Sequence, residues 1–229
     1  MTDVLTLEAV DTDGAIQEAA DRVSGDSRAG FFRKGFLVAG GALGASALVG
    51  AADARAQTST DVAILQFAHA LEHLEAEFYA EALRMGALRG DVLAFARVVA
   101  AHERTHVKFL SGALGSSAIK KPRFNFRGTT ESQSRFVATA IVLEDTGVKA
   151  YKGQAPRIQT DSILAAALSV HSVEARHAAW IRHIAGKPPA PTAFDPAASL
   201  KQVLAAVKGT RFLAGPIRTV SGGAPLFTG

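Results

Sequence analysis

The 229-residue sequence contains no cysteine. This absence excludes a thiolate metal site, a disulfide framework and a thiol nucleophile. Any bound metal must therefore be held by histidine and carboxylate side chains, which suit iron, manganese or zinc. Aromatic residues are also few, at 7% of the chain, whereas apolar residues make up 48%. That composition favours closely packed helices over an aromatic-rich β-sandwich.

The sequence also lacks the features of a nucleic-acid-binding protein. Its formal net charge is +4, and a basic protein can favour anionic surfaces. However, the basic residues are scattered, and no stripe of interleaved aromatic and basic residues is present. We therefore expect a basic, solvated domain with no nucleic-acid partner.

Residues 1–56 differ from the rest of the chain and have the composition of an export signal. The segment "RKGFL" resembles a twin-arginine signal in which Lys34 replaces the second arginine. An apolar run of 17 residues, 36–52, is short for a membrane span, and "ARA" then gives a cleavage site ending at Ala56. The sequence predicts export by this machinery to the periplasm or cell envelope, with 57–229 as the mature domain. The alternative is an uncleaved membrane anchor.

Helical periodicity is strong in four long segments of the mature domain, which span about 60–85, 91–114, 131–152 and 160–185. The loop between the second and third segments is long, and the links within each half are short. Gly153 and Pro156 are predicted to end the third helix. A shorter helix is predicted over 197–208, followed by an irregular tail. The predicted fold is all-α: a four-helix bundle with one long crossover and a short fifth helix.

Four glutamates lie on the apolar faces of these helices, where an unpaired carboxylate is costly to bury; they are Glu72, Glu103, Glu144 and Glu174. The first two are 31 residues apart and the last two are 30 apart. His106 and His177 each follow the second glutamate of a pair by three residues, so both side chains leave one helix face. We interpret the chain as a helix hairpin used twice. Four glutamates and two histidines in this arrangement are typical of di-iron or di-manganese carboxylate bundles.

These motifs, together with "ALEHLEAEFYAEAL" on the first helix, resemble the ferritin-like superfamily. Within it, the sequence is similar to the exported bacterial ferritin-like domain group, which includes plant desiccation-related proteins. The resemblance covers about 60–209. It implies a ferritin-like bundle with two Fe or Mn ions, in which Glu72 and Glu144 are terminal ligands, Glu103 and Glu174 bridge, and His106 and His177 bind one metal each.

The first-helix ligand has a second candidate, Glu75, which lies one turn beyond Glu72 on the same face. The repeat favours Glu72, because Glu72 aligns with Glu144 whereas Glu75 aligns with Gly147. Glu75 is then an alternative ligand, or it orients a ligand.

The only two tyrosines, Tyr79 and Tyr151, end the same nine-residue frame in the two halves and are the catalytic candidates. Each could hydrogen-bond a ligand carboxylate, which we favour, donate electrons during oxidation, or simply pack. Asp145 could orient a ligand histidine or lie on the surface. His171 could reach the site, and the other histidines are interpreted as surface or ordinary core residues; they are His69, His73, His102 and His183.

Two functions are consistent with this pattern. The first is a ferroxidase or peroxide-consuming di-metal oxidoreductase that uses O₂ or peroxide, with a manganese catalase-like activity as a close relative. The second is a non-enzymatic envelope protein of stress or desiccation whose metal is structural or absent. Metal storage would require a shell of many subunits, and since the sequence identifies no subunit interface, homo-oligomerisation stays open.

Overall fold

Five α-helices make up most of residues 58–220, the part of the chain that the computed structural model describes. They are α1 (Ser59–Met85), α2 (Gly90–Leu114), α3 (Gln133–Gln154), α4 (Asp161–Ile184) and α5 (Leu200–Thr210). Short 3-10 turns follow α2 and α3, at Gly115–Ser117 and Ala155–Arg157. Between residues 58 and 220 there is no β-strand, and the all-α prediction is confirmed. No helix in this range combines the length and hydrophobicity needed to cross a membrane. The predicted export signal lies outside the described residues.

The helix ends have local causes. The Thr58 side chain accepts a hydrogen bond from the Asp61 amide at 3.1 Å and caps α1. Gly86 ends α1 in the left-handed region, with φ of 67°. Ser199 and Gln202 form a capping box, so α5 begins three residues later than predicted.

The third helix does not stop at Gly153, because α3 continues to Gln154, whereas Pro156 lies just beyond its end as predicted. Gly153 instead permits a close contact: a Cβ atom there would overlap the backbone carbonyl of Ala198. In the same place, the Ala198 amide donates to the Lys149 carbonyl of α3 at 3.0 Å. The glycine therefore lets the segment before α5 lie directly on α3.

The connection between α2 and α3 runs back along the whole length of α1. Near the start of α1, Gln66 donates to the Ser117 carbonyl at 2.8 Å. Near its end, Thr130 donates to Glu81 at 2.7 Å. Since the order of the contacts is the same along both segments, the crossover is parallel to α1. The chain consequently consists of two antiparallel hairpins, α1–α2 and α3–α4, joined by the one long crossover that was predicted.

The fifth helix and the tail cover one side of this bundle. Val203 of α5 packs with Phe67, Leu71 and Ala150 of α1 and α3. The described part of the tail, 211–220, has no regular helix or strand, as predicted, but its backbone pairs antiparallel with the crossover. The bonds include Asn125 N to Phe212 O at 2.8 Å and Val220 N to Ala118 O at 2.7 Å.

The bundle core has two chemically different ends. One end is aromatic, where Phe78, Phe95 and Phe136 are fully buried. The other end is aliphatic and contains Leu65 and Leu110. The acidic residues identified in the sequence lie on the helix turns between these two ends.

Candidate metal centre

Seven acidic and histidine side chains meet at the middle of the bundle. All seven are buried, and the glutamates of the repeat are 0% exposed. Each helix supplies part of the set: α1 gives Glu72 and Glu75, α2 gives Glu103 and His106, α3 gives Glu144, and α4 gives Glu174 and His177. The structure thus brings together all of the metal-ligand candidates from the sequence.

Their ligand atoms form three overlapping groups, each with atoms within 4.8 Å of one another; the groups are Glu72–Glu103–His106–Glu174, Glu103–Glu144–His177 and Glu75–Glu144–Glu174. Both histidines direct Nδ1 toward the carboxylates. His106 Nδ1 lies 3.1 Å from Glu72 Oε2 and 3.2 Å from Glu174 Oε1. His177 Nδ1 lies 3.2 Å from Glu103 Oε1. One cation could therefore lie beside each histidine.

The two tyrosines connect the halves reciprocally. Tyr151 of the second half donates to Glu72 Oε1 of the first half at 2.6 Å. Tyr79 of the first half donates to Glu144 Oε1 of the second half. Because α1 and α3 are antiparallel, each tyrosine lies two turns from its own repeat glutamate and beside the other one. Both hydroxyl groups contact a candidate ligand.

The sequence matches the family described as the ferritin-like domain over residues 60–187, which is more than half of the chain. The chain belongs to the ferritin-like domain family. This membership confirms the predicted superfamily, while the narrower resemblance to the exported and desiccation-related group stays a prediction. No curated protein matches the chain.

The donor atoms of this ferritin-like centre fit metal ions. Seven buried side-chain polar atoms in the described chain have no hydrogen-bond partner. Six belong to the centre, namely both carboxylate oxygens of Glu103 and of Glu174, Oε2 of Glu144 and Nδ1 of His177; the seventh is His171 Nε2. Buried polar atoms without a partner are rare and costly, and a coordinated cation is one of the groups that satisfy them. Carboxylate oxygens with imidazole nitrogens and no sulfur suit iron or manganese.

The electrostatics of the centre are those of crowded carboxylates. Burial raises the pKa of Glu103 to about 7, and the Glu72 carboxylate beside it adds to the rise. Burial and the neighbouring carboxylates also raise the pKa of Glu75 and of Glu174 well above the ordinary value. Burial alone would lower the pKa of His177, but its carboxylate neighbours raise it to about 10. Excess negative charge is thus the main property of the site.

A residue that the sequence reasoning missed touches this ferritin-like centre from outside. His102 Nδ1 lies 2.9 Å from His177 Nε2, and the two rings stack with centroids 5.1 Å apart. His102 therefore holds the ring nitrogen of His177 that faces away from the carboxylates. Its interpretation as a surface or ordinary core residue was incomplete, because its partner belongs to another helix and no spacing within α2 indicates it.

Three other polar residues that were considered from the sequence lie outside the set of candidate ligands. Asp145 does not contact a ligand histidine; it binds the Arg182 guanidinium, with one contact at 3.0 Å. His171 belongs to none of the ligand groups formed by the described residues. His69 is fully buried: its Nδ1 accepts from the Ile119 amide at 3.3 Å, and its Nε2 lies 2.9 Å from the Ser111 hydroxyl.

Proposed function

We propose that this ferritin-like bundle binds two ions of iron or manganese in its acidic core and uses them to oxidise Fe(II) or to consume O₂ or hydrogen peroxide. The observation that carries the proposal is the charge imbalance. Five buried carboxylates converge, and their positive partners among the described residues are His106 and His177.

The number of charges favours two divalent cations. Five ionised carboxylates carry −5, and two protonated histidines would offset only two of these charges. Two divalent ions with neutral histidines leave −1, which a single proton on a carboxylate such as Glu75 removes. A purely hydrogen-bonded polar core would instead keep several carboxylic acid protons or buried negative charges, and the latter are very costly.

The contacts of the two histidines support the division of roles implied by the family. Glu103 and Glu174 each bring a carboxylate oxygen within 3.9 Å of Nδ1 of both His106 and His177, which suits bridging carboxylates. Glu72 with His106, and Glu144 with His177, would complete the two positions. Glu75 lies in a group with Glu144 and Glu174 and would add a fifth carboxylate on one side. Bound there, a pair of iron or manganese ions would supply two electrons for the reduction of O₂ or peroxide.

The tyrosines support the positions of the terminal ligands. Each hydroxyl group donates to the carboxylate oxygen of Glu72 or Glu144 and so fixes its orientation. We propose this orienting role over electron donation. In Tyr151→Phe, metal affinity should fall while the bound metal still reacts. Unchanged affinity with lost turnover would support electron donation instead.

Metal content is the first test of this function. The full chain, purified without chelator and reconstituted anaerobically, should contain two iron or manganese ions per chain by mass spectrometry. The variant Glu103→Gln/Glu174→Gln should lose them. Glu131→Gln is the matched control, because Glu131 is exposed and lies outside the site. Wild-type protein without metal after reconstitution would refute the dinuclear site.

Turnover separates the enzyme from its non-enzymatic alternative. The loaded wild-type chain should consume O₂ on addition of Fe(II), or should decompose hydrogen peroxide, faster than the double variant. Bound metal without either activity would favour an envelope stress protein with a structural metal site.

We also propose that the chain acts outside the cytoplasm, in the periplasm or cell envelope. This proposal is supported by the signal-like composition of residues 1–56. The intact mass of the protein recovered from the envelope should correspond to a chain that begins at Gln57. Full-length protein confined to the cytoplasm would refute it.

A further inference from the structure

The packing on the two sides of the acidic site is unequal. On the Tyr79 side, the aromatic rings are in contact; Phe78 and Phe136 stack at 5.2 Å, and Tyr79 meets Phe95 edge-on at 5.9 Å. On the Tyr151 side, apolar side chains, which include Phe67 and Phe109, line a partly open cavity of about 30 Å³. The two halves of the repeat therefore pack differently: the core on the Tyr79 side is filled by aromatic rings, whereas the core on the Tyr151 side contains a cavity.

The cavity lies about one helical turn from the candidate metal ligands. Ala68 and Val170 line it, and each precedes a ligand glutamate by four residues; Leu110 lines it four residues after His106. At 1.5 Å per residue, four residues place the cavity about 6 Å from the ligand level along the helix axes. The Tyr151 side chain also lines it, while its hydroxyl bonds Glu72. A single side chain thus belongs to both the cavity wall and the site.

The side chains that line the cavity determine which small molecules it can bind. Its volume exceeds the ~10–15 Å³ that one water molecule needs, but a buried water also needs about two to four polar partners. The polar side chains in the lining are those of Tyr151 and Gln154. The Tyr151 proton is donated to Glu72, and Gln154 Oε1 accepts from Arg157 at 2.9 Å. Hydrogen peroxide, like water, finds few hydrogen bonds here, whereas a small apolar molecule loses none.

A surface cleft lies next to the cavity. The cleft is formed by α1, α5 and the tail, and has a volume of about 650 Å³. Phe67 and Leu71 line both the cleft and the cavity, so these two side chains form the wall between them. Passage from the cleft into the cavity therefore requires movement of these two side chains, which are 3% and 8% exposed.

We propose that this cavity is a binding site for a small apolar gas molecule, dioxygen, which enters from the cleft past Phe67 and Leu71. The identity of the gas rests on the proposed function, since O₂ is one of its two oxidants. The cavity itself does not depend on bound metal. It would supply the site with O₂ and would disfavour peroxide.

Xenon tests the cavity independently of metal and turnover, because dry apolar cavities bind it. Crystals of the metal-free full chain under xenon pressure should show one xenon atom among Leu65, Ala166 and Val170. Ala166→Leu, which adds three carbon atoms to the lining, should lose this xenon. Ala165→Leu is the matched control, because Ala165 is the exposed neighbour on α4, and should keep it. Ordered water in the wild-type cavity, or no xenon there, would overturn the proposal.

Kinetics then test whether the gas is O₂. With metal content unchanged, Ala166→Leu should raise the KM for O₂ several-fold and leave peroxide consumption unaltered. Xenon binding with an unchanged KM for O₂ would overturn the assignment of dioxygen. Xenon binding in a wild-type chain that shows no turnover would refute the proposed function and leave the apolar site established. If Ala166→Leu does not fold, the xenon position in wild-type protein still decides the first question.

Discussion

At the scale of single residues, the two proposed metal positions differ in the residues that contact their histidines from outside. His102 contacts His177, but the equivalent position in the second half is Val173, so His106 has no histidine of this kind from α4. A metal-ligating histidine has a second ring nitrogen that does not bind the metal. The residue that hydrogen-bonds this nitrogen fixes the orientation and the tautomer of the ring. The asymmetry should therefore appear in metal binding.

His102→Ala should weaken the binding of one metal ion by about 10- to 100-fold and leave the other unchanged. Competition with a chromogenic chelator would resolve the two affinities in the full chain. His183→Ala serves as the control, because His183 is exposed near the end of α4. An equal loss at both positions, or none, would show that His102 does not position His177.

Residue types and spacing predicted which side chains converge, because candidate ligands must lie on the inward stripes of their helices. Glu103-x-x-His106 and its repeat meet that requirement within single helices. His102 could not be predicted, since its contact with His177 crosses from α2 to α4. The reciprocal bonds of Tyr79 and Tyr151 depend likewise on the antiparallel placement of α1 and α3, which the repeat does not encode.

At the scale of the elements, α3 contains a glycine that is required by packing. Gly153→Ala should destabilise the fold by about 1–3 kcal/mol, because the added Cβ would overlap the backbone of Ala198, which cannot move without displacing the start of α5. In Gly112→Ala, by contrast, the added Cβ meets no atom within 4 Å. That change should stabilise α2 by about 0.5–1 kcal/mol.

Urea unfolding of the two alanine variants beside the wild type would measure both free energies of unfolding. Opposite signs are expected. Equal stabilities would mean that Ala198 shifts freely away from α3. The sequence suggested a helix stop at Gly153 because glycine is common just after helix ends; the actual reason, an approaching backbone, depends on tertiary structure.

The crossover is held to the bundle partly by a buried histidine. Burial, with a smaller contribution from His73, lowers the pKa of His69 from 6.5 to about 4. A histidine with a lowered pKa stays neutral in the folded state while the unfolded chain takes up a proton. Its contribution to stability is therefore complete above about pH 6.5 and is lost progressively as the pH falls toward 4.

Replacing His69 should flatten this pH dependence. Metal-free wild-type protein should lose up to about 2 kcal/mol of unfolding free energy between about pH 6.5 and pH 5 through this residue. His69→Gln should be less stable near neutral pH but should lack this part of the slope. His183→Gln should keep the wild-type slope. Parallel curves for the wild type and His69→Gln would refute the assignment.

At the scale of the whole molecule, the converging carboxylates lower the stability of the fold, and the proposed metal ions would offset this cost. The repeat places carboxylates from all four bundle helices at one point, and their mutual repulsion opposes folding when no cation is bound. Because these carboxylates converge only in the folded chain, the unfolded chain offers no comparable set of metal ligands. Metal that binds only the folded state adds stability by mass action, about 2.7 kcal/mol when its concentration is 100 times the Kd.

Because the carboxylates repel one another when no metal is bound, replacing them should stabilise the metal-free protein, although it removes the proposed ligands. Above pH 7, where Glu103 is ionised, the metal-free Glu103→Gln/Glu174→Gln variant should be more stable than metal-free wild type by about 1–4 kcal/mol, because the buried charge of Glu103 is removed. Excess Mn(II) should raise the Tm of the wild type and of the exposed control Glu131→Gln, but not that of the double variant. A metal-free double variant that is less stable than wild type would show that the carboxylates are held by hydrogen bonds, and that the fold does not depend on a cation to offset their charge.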